Sequence, residues 1–193
     1  MPPDKYASKG LKRAAYLSET ARRMTAADCA GIRVGIVAAR WNFRVTEKLL
    51  YGARAALASV GIDLNDRSRC ILVWVPGAFE IPIAVAKVIE LERVHAVVAL
   101  GCVVRGDTDH YHYVASAASY GLQEVSLRTG VPVAFGVLTT YDMDQALARA
   151  ADSVESNKGF EAATAALEMI LTLRELGGSD SKSIWRHLRC HRT

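Results

Sequence analysis

The stretch Val97-Val98-Ala99-Leu100-Gly101-Cys102-Val103-Val104-Arg105-Gly106-Asp107-Thr108-Asp109-His110-Tyr111 decides the fold. Its first half reads as a buried strand, and its second as a glycine turn with a helix starting directly behind it. The run from Ala96 to Gly101 carries no charge, which suits a central parallel strand covered on both faces. Arg105, Gly106, Thr108 and His110 follow where a strand-to-helix junction exposes unpaired backbone N–H groups. Anion-binding groups and a titratable base therefore share one short loop.

Working outward, the same alternation repeats. Val34-Gly35-Ile36-Val37-Ala38 is a short buried strand with the exit loop Ala39-Arg40-Trp41-Asn42-Phe43. Val45, Leu49, Leu50, Ala53, Ala56, Leu57 and Val60 fall at helical spacing, and Gly61 stops that helix. Cys70-Ile71-Leu72-Val73-Trp74-Val75 is the next strand, closed by Pro76-Gly77 and followed by a helix containing Ile83, Val85, Val88 and Ile89. The helix after the opening stretch runs from about His110 to Leu127. A fourth strand covers Gly130 to Leu138, and its Pro132 belongs at the strand's start or on an edge. Asp142 and Gln145 have capping-box spacing, and Asn157 caps a last long helix. Four strands alternating with helices predict an α/β fold, a three-layer α/β/α sandwich built on an open parallel four-stranded sheet.

The 193-residue chain is 51% hydrophobic, which suits one domain with a sizeable core plus extensions. The domain spans residues 31–176; residues 1–30 form an extension, partly disordered or docking on a neighbour, and 177–193 a basic tail. No run of eighteen apolar residues exists, so no membrane partner is expected. The amino terminus lacks a signal-peptide core, and Asp4, Glu19 and Asp28 count against a transit peptide. Cys29, Cys70, Cys102 and Cys190 are scattered, which argues against a disulfide framework or a zinc site and for a reducing cytoplasm. Cys102 itself reads as a small buried hydrophobe. His187, Cys190 and His191 in the tail have no companion cluster and read as solvated. The net charge of +4 resides in the ends: residues 1–30 carry six Lys/Arg against three Asp/Glu, and 177–193 four against one. The core carries 14 against 16, so it offers no footprint for nucleic acid.

In an open parallel sheet, ligands bind beyond the carboxyl ends of the strands. The unusual residues of this chain cluster there: Trp41 and Asn42, then Ala78-Phe79-Glu80, then Arg105 to His110. Trp41 reads either as a platform for a flat ring or as packing. Glu80 either caps its helix or holds polar groups of a ligand, with capping slightly favoured. Gly106-Asp107-Thr108 suits a phosphate ester, although it matches neither a Walker motif nor G-x-G-x-x-G. His110 is the best acid–base candidate, since an imidazole titrates near neutrality; alone, it reads equally as a surface histidine. His95 and His112 read as structural.

Together these residues resemble the 6,7-dimethyl-8-ribityllumazine synthase family. The resemblance rests on Ala39-Arg40-Trp41-Asn42, Leu49-Leu50-Tyr51-Gly52-Ala53, Val75-Pro76-Gly77-Ala78-Phe79-Glu80-Ile81-Pro82 and the opening stretch. It continues through Phe135-Gly136-Val137-Leu138-Thr139-Thr140, Gln145-Ala146, Arg149 and Asn157-Lys158-Gly159, in one collinear order over about residues 31–176. It implies a flavodoxin-like transferase that joins 5-amino-6-ribitylaminouracil to 3,4-dihydroxy-2-butanone 4-phosphate, releasing phosphate and water, without metal or organic cofactor. This would be the penultimate step of riboflavin biosynthesis.

The resemblance also implies roles. Trp41 stacks on the pyrimidine; Asn42, Ala78, Phe79, Glu80, Ile81 and Cys102 line the ring and ribityl pocket. Val103 and Val104 present backbone groups to the uracil edge, Asp107 (through its N–H) and Thr108 hold phosphate, and His110 transfers protons. Phe135, Arg149 and Lys158 come from the adjacent subunit, with Arg149 clamping the phosphate. The expected assembly is a homopentamer or decamer, because Ala150 to Ser156 lack the glycine-containing loop of the sixty-subunit shells. Two departures stand out: His112 replaces the family's usual acid, and Trp41 its usual Phe. The second makes bound riboflavin an expected further ligand, and a flavin-binding paralogue without turnover the competing reading.

Overall fold

A computed structural model describes residues 24–177 of the chain. Among them, β1 (Val34–Ala39), α1 (Phe43–Ser59), β2 (Cys70–Val75), a 3₁₀ turn (Ala78–Glu80) and α2 (Ile81–Glu92) come first. β3 (Ala96–Val104), α3 (His110–Thr129), β4 (Val133–Thr140), α4 (Met143–Arg149) and α5 (Lys158–Gly177) follow, with a second 3₁₀ turn before α5. The strands pair in the order β2-β1-β3-β4, every neighbour parallel. This is the expected three-layer α/β architecture in its flavodoxin-like arrangement. Two boundaries differ from expectation. Phe43 opens α1 instead of closing the exit loop, and β4 begins after Pro132 and continues to Thr140. Pro132 has no N–H to donate, but its carbonyl still accepts from Val97 N at 2.9 Å, at the start of an edge strand.

Strand periodicity sorts the core into two layers. Val34, Ile36, Ala38, Val98 and Leu100 point to the α1/α5 side, whereas Val37, Val97, Ala99 and Val103 point to the α2/α3 side. Both sets are buried, which is why the strands read as unbroken apolar runs. Met24 and Cys29 are also buried in the α1/α5 layer, so residues 24–30 of the predicted extension pack onto the domain. The rest of that extension, and the basic tail with His187, Cys190 and His191, lie outside the described residues. His95 has a structural role: its Nδ1 accepts from Arg33 N at 3.0 Å.

α1 and α5 cross at unusually short range. A Cβ on Gly159 would lie 1.8 Å from the Leu49 carbonyl oxygen, and one on Gly52 would lie 2.1 Å from Asn157 Oδ1. Asn157, only 1% exposed, uses both ends of its amide at this crossing. Its Nδ2 donates to the Lys48 and Ala151 carbonyls at 2.9 and 2.8 Å, and its Oδ1 accepts from Gly159 N at 2.8 Å. The expected cap of the last helix is therefore also a clamp between two helices. Asp142 caps α4 as expected, its Oδ1 accepting from Gln145 N at 2.7 Å. The return bond of the box is displaced: Gln145 Oε1 accepts from Tyr141 N, one residue before the cap.

Burial pushes the Cys70 and Cys102 thiols up to about 11. A thiolate loses hydration in the core, so the folded state retains its proton where the unfolded chain, near ~8.5, releases it. The associated stability is complete below about pH 8.5 and is lost as pH rises through about 11, on the order of 3 kcal/mol per thiol. We predict a flatter fall in urea stability between pH 8 and 11 for Cys70→Ala/Cys102→Ala than for the parent. Parallel curves would contradict it.

Candidate functional site

The strand order reverses direction at β1: the chain leaves it for β2 on one side and returns to β3 on the other. A crevice opens at such a point, beyond the carboxyl ends of the two strands. Here Asn42 bridges it, its Nδ2 donating to the Cys102 carbonyl at 2.9 Å. Asn42 also takes the left-handed conformation (φ 56°, ψ 41°), which asparagine tolerates better than most side chains. This turn aims the preceding Trp41 outward, where it is 73% exposed. The loop is not loose, because Arg40 N and Trp41 N donate to the Val75 and Pro76 carbonyls at 2.8 and 2.9 Å. Asn42→Ala is expected to cost about 1–3 kcal/mol, from the lost bond and from left-handed strain. Asn42→Gly should cost less, since it keeps the backbone unstrained; urea midpoints that rank the two the other way would contradict this.

The second wall is Gly77 to Glu80. Glu80 Oε2 accepts from Gly77 N at 2.9 Å, closing the 3₁₀ turn from which α2 starts. Capping and ligand binding are compatible here, because Glu80 also lines the cavity and only one of its oxygens is engaged. Phe79 stands 60% exposed beside it. The third wall is the end of β3 and the start of α3. Arg105 N donates to the Thr140 carbonyl at 2.9 Å, which prolongs the β3–β4 ladder and fixes where the turn begins. Gly106, Asp107 and Thr108 are exposed, and His110, first residue of α3, has its N–H 3.4 Å from Thr108 Oγ1. A helix start of this kind is, in general, suited to an anion.

A cavity of about 640 Å³ lies between these walls. Of the site residues expected from the sequence, Trp41, Asn42, Ala78, Phe79, Glu80, Cys102, Val103, Val104, Thr108 and His110 line it. Ile81 is fully buried beneath its floor, and Asp107 is exposed but outside the lining. Phe135, Arg149 and Lys158 lie elsewhere in this subunit. Phe135 is on the edge strand β4 and 47% exposed; Arg149 Nη1 donates to its own helix at Gln145 O; Lys158 Nζ pairs with Glu161 at 2.5 Å. Cys102, 2% exposed and held protonated by burial, is no nucleophile.

Tyr111, Tyr113 and Val114 also line the cavity. Tyr111 and Val114 fall at core spacing in their helix, and Tyr113 falls outside that stripe. The available signal was spacing from His110, since residues three and four further on are its neighbours on a helix surface. His112 is absent from the lining; its ring meets that of Tyr111 edge-on, with centroids 5.3 Å apart. The substitution at this position therefore lies off the cavity. Among the described residues no three metal-ligating side chains converge, and no helix is long and apolar enough to cross a membrane.

A cavity at the switch point of a parallel sheet, lined by exposed aromatic residues and by a helix start, lies where α/β proteins of this topology bind small molecules. The family model for 6,7-dimethyl-8-ribityllumazine synthase matches residues 31–174, and the chain belongs to that family. Membership implies a transferase of riboflavin synthesis acting on small-molecule substrates.

Proposed function

We propose that the protein condenses 5-amino-6-ribitylaminouracil with 3,4-dihydroxy-2-butanone 4-phosphate to 6,7-dimethyl-8-ribityllumazine, phosphate and water. The observation that carries this reading is the convergence of Trp41, Glu80, Thr108 and His110 on one cavity in a chain of this family. Trp41 offers a flat face to the pyrimidine, and the free oxygen of Glu80 accepts from ribityl hydroxyls. The Asp107 N–H and the Thr108 hydroxyl receive the phosphate at the start of α3. The amine of the pyrimidine attacks the ketone carbon and water leaves as the imine forms. The hydroxyl-bearing carbon gives up a proton as phosphate departs from its neighbour, and the resulting enol becomes a ketone. The ribityl-bearing nitrogen attacks that carbonyl carbon and a second water leaves, which closes the ring. His110 moves those protons. Holding two reactants in one orientation supplies much of the rate.

The cavity is half of the working site. Phe135, Arg149 and Lys158 act from a neighbouring subunit, where the planar fork of Arg149 supplies the positive charge that Asp107 and Asp109 cannot. Self-association is supported by large exposed apolar side chains: Tyr120 and Leu127 at seven-residue spacing on α3, and Ile83 and Leu91 on α2. A homopentamer or decamer in the cytoplasm, where Cys29, Cys70 and Cys102 remain thiols, completes the reading. Retention of Thr108, His110 and Arg149 favours turnover over flavin storage, although Trp41 also suits a bound flavin ring. Mixing the purified protein with both substrates tests the reaction: lumazine fluorescence is expected to grow in proportion to protein. No product at any protein concentration would overturn it.

A further inference from the structure

We propose that Tyr113 is a specificity-determining residue that recognises the polyol chain of the substrate, across the cavity from Glu80. The inference deepens the proposed function and rests on its ribityl-bearing substrate. Tyr113 lines the cavity, yet it is 72% exposed and its hydroxyl makes no hydrogen bond among the described residues. A large ring held open at a cavity rim has contact area and a polar handle without an internal use for either.

Helix geometry gives its direction. Residues 113, 117 and 121 share one flank of α3, and at Gly121 that flank touches α2 so closely that a Cβ would meet the Pro82 ring at 2.8 Å. Tyr113 lines the same cavity as Phe79 and Glu80 of the 3₁₀ turn that precedes α2. That cavity therefore holds two exposed rings and the unengaged Glu80 oxygen. This combination suits a linear polyhydroxylated chain: its C–H edges lie on aromatic faces while its hydroxyls donate to the carboxylate and exchange bonds with the phenol. It does not suit the phosphate, which a carboxylate repels.

Fluorescence titration with two product-like ligands, 6,7-dimethyl-8-ribityllumazine and the chain-less 6,7-dimethyllumazine, separates chain from ring. For Tyr113→Ala we expect affinity for the ribityl compound to fall about tenfold, and for the chain-less ring to stay within about twofold. Tyr113→Phe, which keeps the face and loses the hydroxyl, should fall about threefold for the ribityl compound alone. In turnover, the KM for the ribitylamino substrate should rise with little change in kcat or in the KM for the four-carbon phosphate. Equal losses for both lumazines, or none, would overturn the proposal. Dissociation of the Tyr113→Ala assembly in native mass measurement, with ribityl discrimination intact, would also overturn it by making Tyr113 a subunit contact. Ribityl discrimination that Tyr113→Ala loses, in a protein that forms no product, would uphold this inference while sinking the proposed reaction; absence of ribityl binding would sink both.

Discussion

Gly159→Ala is expected to destabilise the protein by more than about 3 kcal/mol, or to abolish soluble expression. Overpacking a core usually costs less because side chains move aside. At Gly159 the obstacle is backbone: the new Cβ would lie 1.8 Å from the Leu49 oxygen, 2.6 Å from its carbonyl carbon and 2.8 Å from its Cα. Relief requires α1 and α5 to separate, and that pulls the Asn157 amide from the Lys48 carbonyl. A buried amide that loses one of its partners adds its own penalty. For a domain of this size such a loss lowers the melting temperature by roughly 6–12 °C. Parent and variant must be compared at equal protein concentration, because any oligomer gains apparent stability by mass action. A variant that melts within about 2 °C of the parent would contradict the helix crossing described above.

His110→Ala is expected to reduce kcat by about 10²–10⁴, the range over which positioned proton transfer accelerates reactions. Ring binding should change little, because the indole of Trp41 belongs to another wall of the cavity. The split between the two readouts is the informative result. Comparable losses in turnover and in lumazine affinity would mean that His110 shapes the pocket and moves no protons.

The fold was legible because its central strands β1 and β3 are buried on both faces and the edge strand β2 is still an unbroken apolar run. Six-residue runs such as Val34–Ala39 and Cys70–Val75 leave no room for a helical reading, and turn residues bracket them. The three loops of the cavity were legible for a related reason: polar and aromatic residues at the ends of such runs have no structural excuse. Contacts that depend on tertiary approach were not legible. Gly52 and Gly159 read in sequence as weak helix positions, whereas their value lies in bringing two helices within backbone range. Ile81 sits in a motif with Phe79 and Glu80, yet helix geometry turns it into the core. Tyr113 was hidden because α3 has apolar residues on several sides, so no single stripe marks the cavity. Phe135, Arg149 and Lys158 carry no local signal for a site, and only the family resemblance named them.

A site divided between subunits makes a prediction that no single-subunit site shares. Two inactive variants, His110→Ala and Arg149→Ala, are unfolded together, refolded as a mixture and assayed by lumazine fluorescence. A cavity that receives His110 from one subunit and Arg149 from its neighbour is then intact wherever the two variants alternate in the right sense. Random mixing in a cyclic assembly should restore about a quarter of wild-type activity, far above either variant alone. Activity no greater than the mean of the two separately refolded variants would contradict a shared site.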